Sequence, residues 1–168
     1  MATQKHRNFK TQVLVLYGPP KKGKSLFWNI VYPNAYIKPH GLWWDGYDHQ
    51  EVVVIDDFYG WLPYSFMLQL LDRYPLLVEV KGGFRTFNSK LIVITSNKAP
   101  NCWYGVDCSY EALERRLNVI YRFDQQSINP VLLKGSPIPF NWEKAISIPP
   151  EAPFEFDVPD DFHQVLLS

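Results

Sequence analysis

Three stretches of this chain are apolar at nearly every position: Val13-Leu14-Val15-Leu16-Tyr17, Val52-Val53-Val54-Ile55 and Leu91-Ile92-Val93-Ile94. A strand with one wet face alternates apolar and polar residues. A continuous β-branched run marks a strand covered on both faces, the usual state in the middle of a parallel sheet. The wider pattern predicts strands over 12–17, 35–38, 51–56, 77–80, 90–96 and 117–123, and helices over 24–32, 63–73 and 109–116. Pro63 suits the first turn of the second helix. Gly82-Gly83 lies between two strand-like segments and reads as a hairpin tip. Alternating strands and helices give an α/β layered domain with an antiparallel insertion on its parallel sheet.

Composition narrows the class. A chain of 168 residues that is 46% apolar and 20% charged suits one α/β domain with a proper core. No apolar run reaches membrane-spanning length, and no signal-peptide pattern is expected. Cys102 and Cys108 fit no metal spacing with the histidines and are expected as free thiols in a reducing compartment. The net charge of zero hides a split. Residues 1–122 carry 15 Lys and Arg against 10 Asp and Glu, whereas residues 123–168 carry 2 against 7. The first part is basic enough for a polyanion-binding domain. The pattern divides the chain into a basic lead-in (1–11), a core (12–123) and a Pro-rich acidic tail (124–168). The tail is expected to drape over the core or stay mobile, and to dock through aromatics such as Phe140, Trp142, Phe154, Phe156 and Phe162.

The chemistry gathers where the apolar runs end. After the first comes Gly18-Pro19-Pro20-Lys21-Lys22-Gly23-Lys24-Ser25, which fits G-x-x-x-x-G-K-[ST]. Strand, glycine loop and helix is the context that a phosphate-binding loop requires. Backbone N–H groups and the helix N-terminus then face the phosphates of ATP. Lys24 is expected to reach the β- and γ-phosphates and the Ser25 hydroxyl to ligate Mg²⁺. The plainer reading is a Gly/Pro turn. The second run ends in Asp56-Asp57, as a Walker B strand does. Adjacent strand residues point to opposite faces, so the two carboxylates divide their work. Asp56 is assigned to the metal and Asp57 to the attacking water. A surface Asp-Asp turn is the alternative. The third run ends in Thr95-Ser96-Asn97, where the Asn97 amide is the candidate γ-phosphate sensor. Alone, such an ending is usually a turn. Glu111 to Leu117 carries Arg115-Arg116, readable as a finger for a neighbouring subunit's phosphate or as a helix-end pair satisfied by Glu111 and Glu114.

Taken in order, these motifs resemble the superfamily 3 helicase domain of replication initiator (Rep) proteins of circoviruses and related circular single-stranded DNA viruses. Further residues carry the likeness: Trp43-Trp44-Asp45-Gly46-Tyr47, the run Asp56-Asp57-Phe58-Tyr59-Gly60-Trp61-Leu62-Pro63, Asp72-Arg73-Tyr74-Pro75 and Lys81-Gly82-Gly83. The match spans about 13–123. The resemblance implies a P-loop NTPase fold with a modified AAA+ core, ATP and Mg²⁺ as ligands, and assembly into a homo-oligomeric, hexameric ring with ATP between subunits. It implies that Arg116, or secondarily Arg115, completes a neighbour's site. It also implies that the hairpin centred on Lys81 and the Gly82-Gly83 tip grips single-stranded DNA, and Arg85 and Lys90 add charge nearby. That use agrees with simple physics, because a lysine on a flexible hairpin can follow a phosphate backbone. Either Phe84 or Phe87 could stack on a base, although core packing is the commoner use. A site of action in the host nucleus rests on the resemblance alone.

Two departures stand out. Lys22 occupies a place where the family usually has a small residue. The family's N-terminal nicking nuclease, with its His-hydrophobic-His motif and catalytic tyrosine, is expected to be absent from this chain, since His6, His40, His49 and His163 are scattered. The reading is therefore an ATP-dependent DNA helicase module. The alternatives are a P-loop small-molecule kinase, a non-catalytic nucleotide-binding interaction module, and an RNA helicase of the same superfamily.

Overall fold

The computed structural model describes residues 5–20 and 22–147, and the backbone only of Lys22. Lys21, Phe154, Phe156 and Phe162, each given a role above, lie outside the described residues. The elements run β1 (Gln12–Tyr17), α1 (Lys22–Val31), β2 (Tyr36–Ile37), β3 (Val52–Ile55), α2 (Tyr64–Leu70), β4 (Leu77–Val80), β5 (Gly83–Thr86) and β6 (Leu91–Ser96). A 3₁₀ turn (Pro100–Cys102), α3 (Tyr110–Glu114), β7 (Val119–Arg122), β8 (Val131–Lys134) and α4 (Trp142–Ser147) follow.

Six strands form one sheet in the order β2-β3-β6-β1-β7-β8. All its pairings are parallel except β7 with β8. The three apolar runs are the adjacent strands β3, β6 and β1, and every residue of β3 and β6 is buried. Their side chains divide by strict alternation. Val13, Val15, Val53, Ile55, Ile92 and Ile94 enter a core shared with Met67 and Leu70 of α2 and Leu113 of α3. Leu14, Leu16, Val52, Val54, Leu91 and Val93 enter a second core with Phe27 of α1 and Ala145 of α4. At about 1.5–3 kcal/mol for each buried Val, Leu or Ile, this double burial dominates the folding energy. The α/β expectation and the central parallel sheet hold. Strands β4 and β5 pair antiparallel as a separate hairpin, with Val80 opposite Gly83. Its turn is therefore Lys81-Gly82 rather than Gly82-Gly83, and Gly83 opens β5.

Two regions differ from their sequence reading. The basic lead-in contributes to the core: Arg7 is only 3% exposed. Its guanidinium donates to the carbonyls of Gln69 (2.6 Å), Leu70 (2.7 Å) and Tyr74 (2.8 Å) and lies 5.2 Å over the Phe87 ring. It thus ties together carbonyls at and just beyond the end of α2. Burial lowers the Arg7 pKa to about 10.

The segment after Phe123 also folds. β8 extends the sheet and α4 packs on α1. Docking through aromatics holds for Phe140 and Trp142: Trp142 stacks on Phe27 at 5.5 Å and meets Phe123 and Phe140 edge-on at 5.3 and 4.6 Å. Periodicity missed β8 and α4 because each is short and lies among prolines, and because β8 is an edge strand with half its residues exposed. Among the described residues no helix is long and apolar enough to cross a membrane.

The fold places Trp142 at the centre of the second core. Trp142→Ala is expected to cost about 3–5 kcal/mol of stability, read as a lower urea midpoint. A cost below 1 kcal/mol would mean that α4 is peripheral.

Candidate functional site

In a parallel sheet every strand ends at the same edge, and crevices form where connections leave in different directions. Here β1, β6 and β3 end side by side. The glycine loop, Thr95-Ser96-Asn97 and Asp56-Asp57 therefore converge. Pro20, Lys24, Ser25, Asp56, Asp57, Thr95, Ser96 and Asn97 line one open cleft of about 330 Å³.

Sterics require a glycine at Gly18 and favour one at Gly23. Gly18 has φ +144°, and a Cβ there would stand 2.3 Å from the Phe123 carbonyl oxygen. A Cβ on Gly23 would stand 3.0 Å from the Phe123 ring. Phe123 itself is tied by its N–H to the Tyr17 carbonyl (2.7 Å). The loop is thus wedged against β7.

Lys24 is 5% exposed. Its ammonium donates to the Gly18 carbonyl (2.6 Å), the Ser96 carbonyl (3.1 Å) and Asn97 Oδ1 (2.8 Å). Burial lowers its pKa, and Asp57 and then Asp56 oppose that shift. The structure thus joins Lys24 and Asn97 directly, with both carboxylates close enough to act on the ammonium. Ser25 is exposed at the cleft.

The two aspartates are held differently. Asp56 Oδ1 accepts a 2.6 Å bond from the Thr95 hydroxyl. Asp57 adopts φ +54°, a left-handed conformation that costs a non-glycine residue energy. Its N–H donates to Thr95 Oγ1 (2.9 Å), and its carbonyl accepts from Trp61 Nε1 (3.1 Å). The turn continues tightly: Phe58 N–H bonds the Thr95 carbonyl, Ser96 Oγ donates to the Phe58 carbonyl, and a Cβ on Gly60 (φ +100°) would overlap Trp103 O. These contacts constrain Asp57, Phe58, Gly60 and Trp61 within the run from Asp56 to Pro63.

The donor set fits a magnesium nucleotide. The Ser25 hydroxyl, two carboxylates, an ammonium and a glycine loop are hard oxygen ligands and phosphate partners. Among the described residues no group of three or more His, Cys, Asp or Glu could hold a metal by itself. Mg²⁺ shared between one or two carboxylates and phosphate oxygens needs no such group.

The remaining predicted residues lie elsewhere. Lys81, Gly82 and Gly83 are exposed at the hairpin turn, and Lys81 N–H donates to Asp45 Oδ1 (2.8 Å). Arg85 is turned back toward the preceding loop, donating to the Tyr47 carbonyl (2.6 Å) with Asp48 at 3.8 Å. Phe87 is fully buried, whereas Phe84 is 64% exposed, so only Phe84 can reach a ligand. Arg116 precedes β7 at the opposite edge of the sheet, bonded to the Leu68 and Ala112 carbonyls and paired with Asp72 at 3.1 Å. Its partner is thus Asp72, and neither Glu111 nor Glu114. Arg115 is exposed at the end of α3. Thr95, Asp45 and His40, whose Nε2 lies 3.2 Å from the Asp56 carbonyl, carry contacts that the sequence reading did not assign. The cue for Thr95 was a hydroxyl in register with Asp56 on the neighbouring strand.

Comparison with known proteins adds independent findings. A family model described as RNA helicase matches residues 14–98, just over half the chain. A replication-associated protein of pigeon circovirus is 49% identical over 139 residues, covering 80% of this chain and 44% of the relative. The replication-associated protein of beak and feather disease virus is 52% identical over 125 residues, covering 74% and 43%. That of porcine circovirus 2 is 52% identical over 116 residues, covering 66% and 37%. The chain thus spans less than half the length of these relatives.

Asp57 stores backbone strain and its carboxylate makes no fold-holding bond among the described residues. Asp57→Gly is expected to keep stability within about 1 kcal/mol of the parent, measured by thermal unfolding. A loss of several kcal/mol would make Asp57 a structural residue.

Proposed function

The chain belongs to the circovirus-like replication-associated (Rep) helicase family, and on that premise we propose that it is an ATP-hydrolysing helicase module that moves along single-stranded DNA in viral genome replication. The observation that carries this reading is the convergence of the glycine loop, Lys24, Asp56-Asp57 and Asn97 on one cleft.

Loop amides and Lys24 bind the phosphates of ATP. Asp57, the freer and more exposed carboxylate, orients and deprotonates the attacking water. Asn97 contacts the γ-phosphate. Ser25 and Asp56 would hold Mg²⁺, which would supply charge neutralisation at the phosphates. Arg116 and Arg115 stand at the wrong edge of the sheet to serve their own cleft. β1 spans six residues, roughly 20 Å at 3.3 Å each. This supports their action on a neighbouring subunit's nucleotide within a ring. Arg116 must leave Asp72 to do so, while Arg115 is already exposed. Lys81 at the hairpin turn contacts the nucleic-acid backbone. The family model's description names RNA, so RNA is the comparison polymer in the assays.

Mg²⁺-dependent ATP hydrolysis across a protein concentration series tests the reading. Lys24→Ala is expected to lower the rate ~10²-fold or more; near-parental activity would reject the site. Activity should rise more steeply than linearly with protein. Mixing inactive Lys24→Ala with inactive Arg116→Ala should restore part of the rate, since each supplies what the other lacks. No restoration, with an effect from neither arginine, would indicate a self-contained nucleotidase.

Lys81→Ala is expected to weaken single-stranded DNA binding and to flatten its log–log salt slope by about 0.7, with basal hydrolysis intact. Binding that is unchanged for DNA, or stronger for RNA throughout, would move the polymer assignment.

A further inference from the structure

We propose that Thr95 is a positioning residue that sets the magnesium-side geometry of the cleft, by orienting the Asp56 carboxylate and holding the backbone of Asp57 with the same hydroxyl. This inference rests on the nucleotide reading above and adds a role for a residue that the reading leaves unused.

The argument begins with register. β3 and β6 pair in parallel up to Ile55 opposite Ile94. Continuing that register sets Asp56 opposite Thr95, and directly opposed residues share a face. The hydroxyl therefore meets the carboxylate at 2.6 Å. Just beyond, the chain leaves the sheet through the left-handed Asp57, whose N–H would otherwise lack a strand partner. Thr95 Oγ1 accepts that N–H at 2.9 Å. The one hydroxyl thus donates once and accepts once, and both partners belong to the aspartate pair.

Burial sharpens the point. Thr95 is 4% exposed, between Ile94 and Ser96 in a strand with no exposed residue. For packing alone, valine would serve as well and would bring no polar atom needing partners. Threonine's branched Cβ also restricts χ1, so the hydroxyl direction is fixed in advance. With Oδ1 held, Asp56 lines the cleft in a fixed orientation together with Ser25. Outer partners of this kind orient metal-binding carboxylates, and their loss typically costs 10–100-fold in metal affinity or activity.

The test measures nucleotide binding rather than turnover. A fluorescent ADP analogue is titrated with and without Mg²⁺ into the parent, Thr95→Val and Thr95→Ser, with thermal unfolding as the control for folding. The parent should bind more tightly with Mg²⁺. Thr95→Val should lose about tenfold or more of that tightening while keeping its metal-free affinity. Thr95→Ser, which restores the hydroxyl, should recover most of it. If Thr95→Val does not fold, Thr95→Ala removes the same hydroxyl without adding bulk and is held to the same expectation.

Parental Mg²⁺ tightening in the hydroxyl-free variant overturns the proposal, as does an equal loss of metal-free and metal-bound affinity, which would mark a general structural role. Failure of the parent itself to bind the nucleotide would instead show in every sample, and would overturn the site reading together with this inference.

Discussion

The hydrogen bonds that pair β6 with β1 on one side and β3 on the other fix where every reactive group of this protein stands. Both faces of these strands are covered by helices and aromatic side chains, so neither face is open to a ligand. Chemistry is left with the strand ends. Because the pairing is parallel, three ends emerge together, and residues far apart in the chain become neighbours: Lys24 bonds Asn97, 73 positions on, and Thr95 bonds Asp56, 39 positions back. The parallel arrangement also separates functions. What precedes β7, including Arg116, is held a full strand length from the cleft above it.

Much of this was legible in the chain because the signals are local. A run apolar on both faces marks a central strand, and a motif beside it inherits that strand's end. The glycine loop, Asp56-Asp57 and Asn97 were found this way, and their strands fall within a residue or two of expectation. What escaped was non-local. Nothing in the residues around Arg7 indicates that its guanidinium closes the end of α2, which lies more than sixty positions away. Likewise, the hydroxyl of Thr95 has meaning only once Asp56 is placed opposite it. Short elements were lost for a different reason. Four residues of edge strand and six of helix carry too few repeats of either period to stand out from a proline-rich background.

Electrostatics is organised around a few buried cations rather than around surface pairs. Lys24 is held by carbonyls and an amide near two carboxylates. Lys38 is 2% exposed and donates to the carbonyls of Pro39, Gly41 and Trp43, between the rings of Trp44 and Trp61. Burial lowers its pKa to about 8. A buried ammonium with every proton engaged defines a loop shape sharply, since losing any one carbonyl leaves a costly unmet donor. That loop carries His40 at one end, against Asp56, and Asp45 at the other, against the hairpin turn.

Phe123 is the feature with the widest reach. One side of this residue forms the wall that forbids a side chain on Gly18 and crowds Gly23, and its other contact is the Trp142 ring of α4. A shortened chain ending at Phe123, where the resemblance ends, would keep every residue of the cleft and lose the α4 ring that backs Phe123. The cleft's supporting surface therefore includes α4, which backs Phe123 through Trp142. The shape of the cleft thus depends on core contacts that lie outside its motifs.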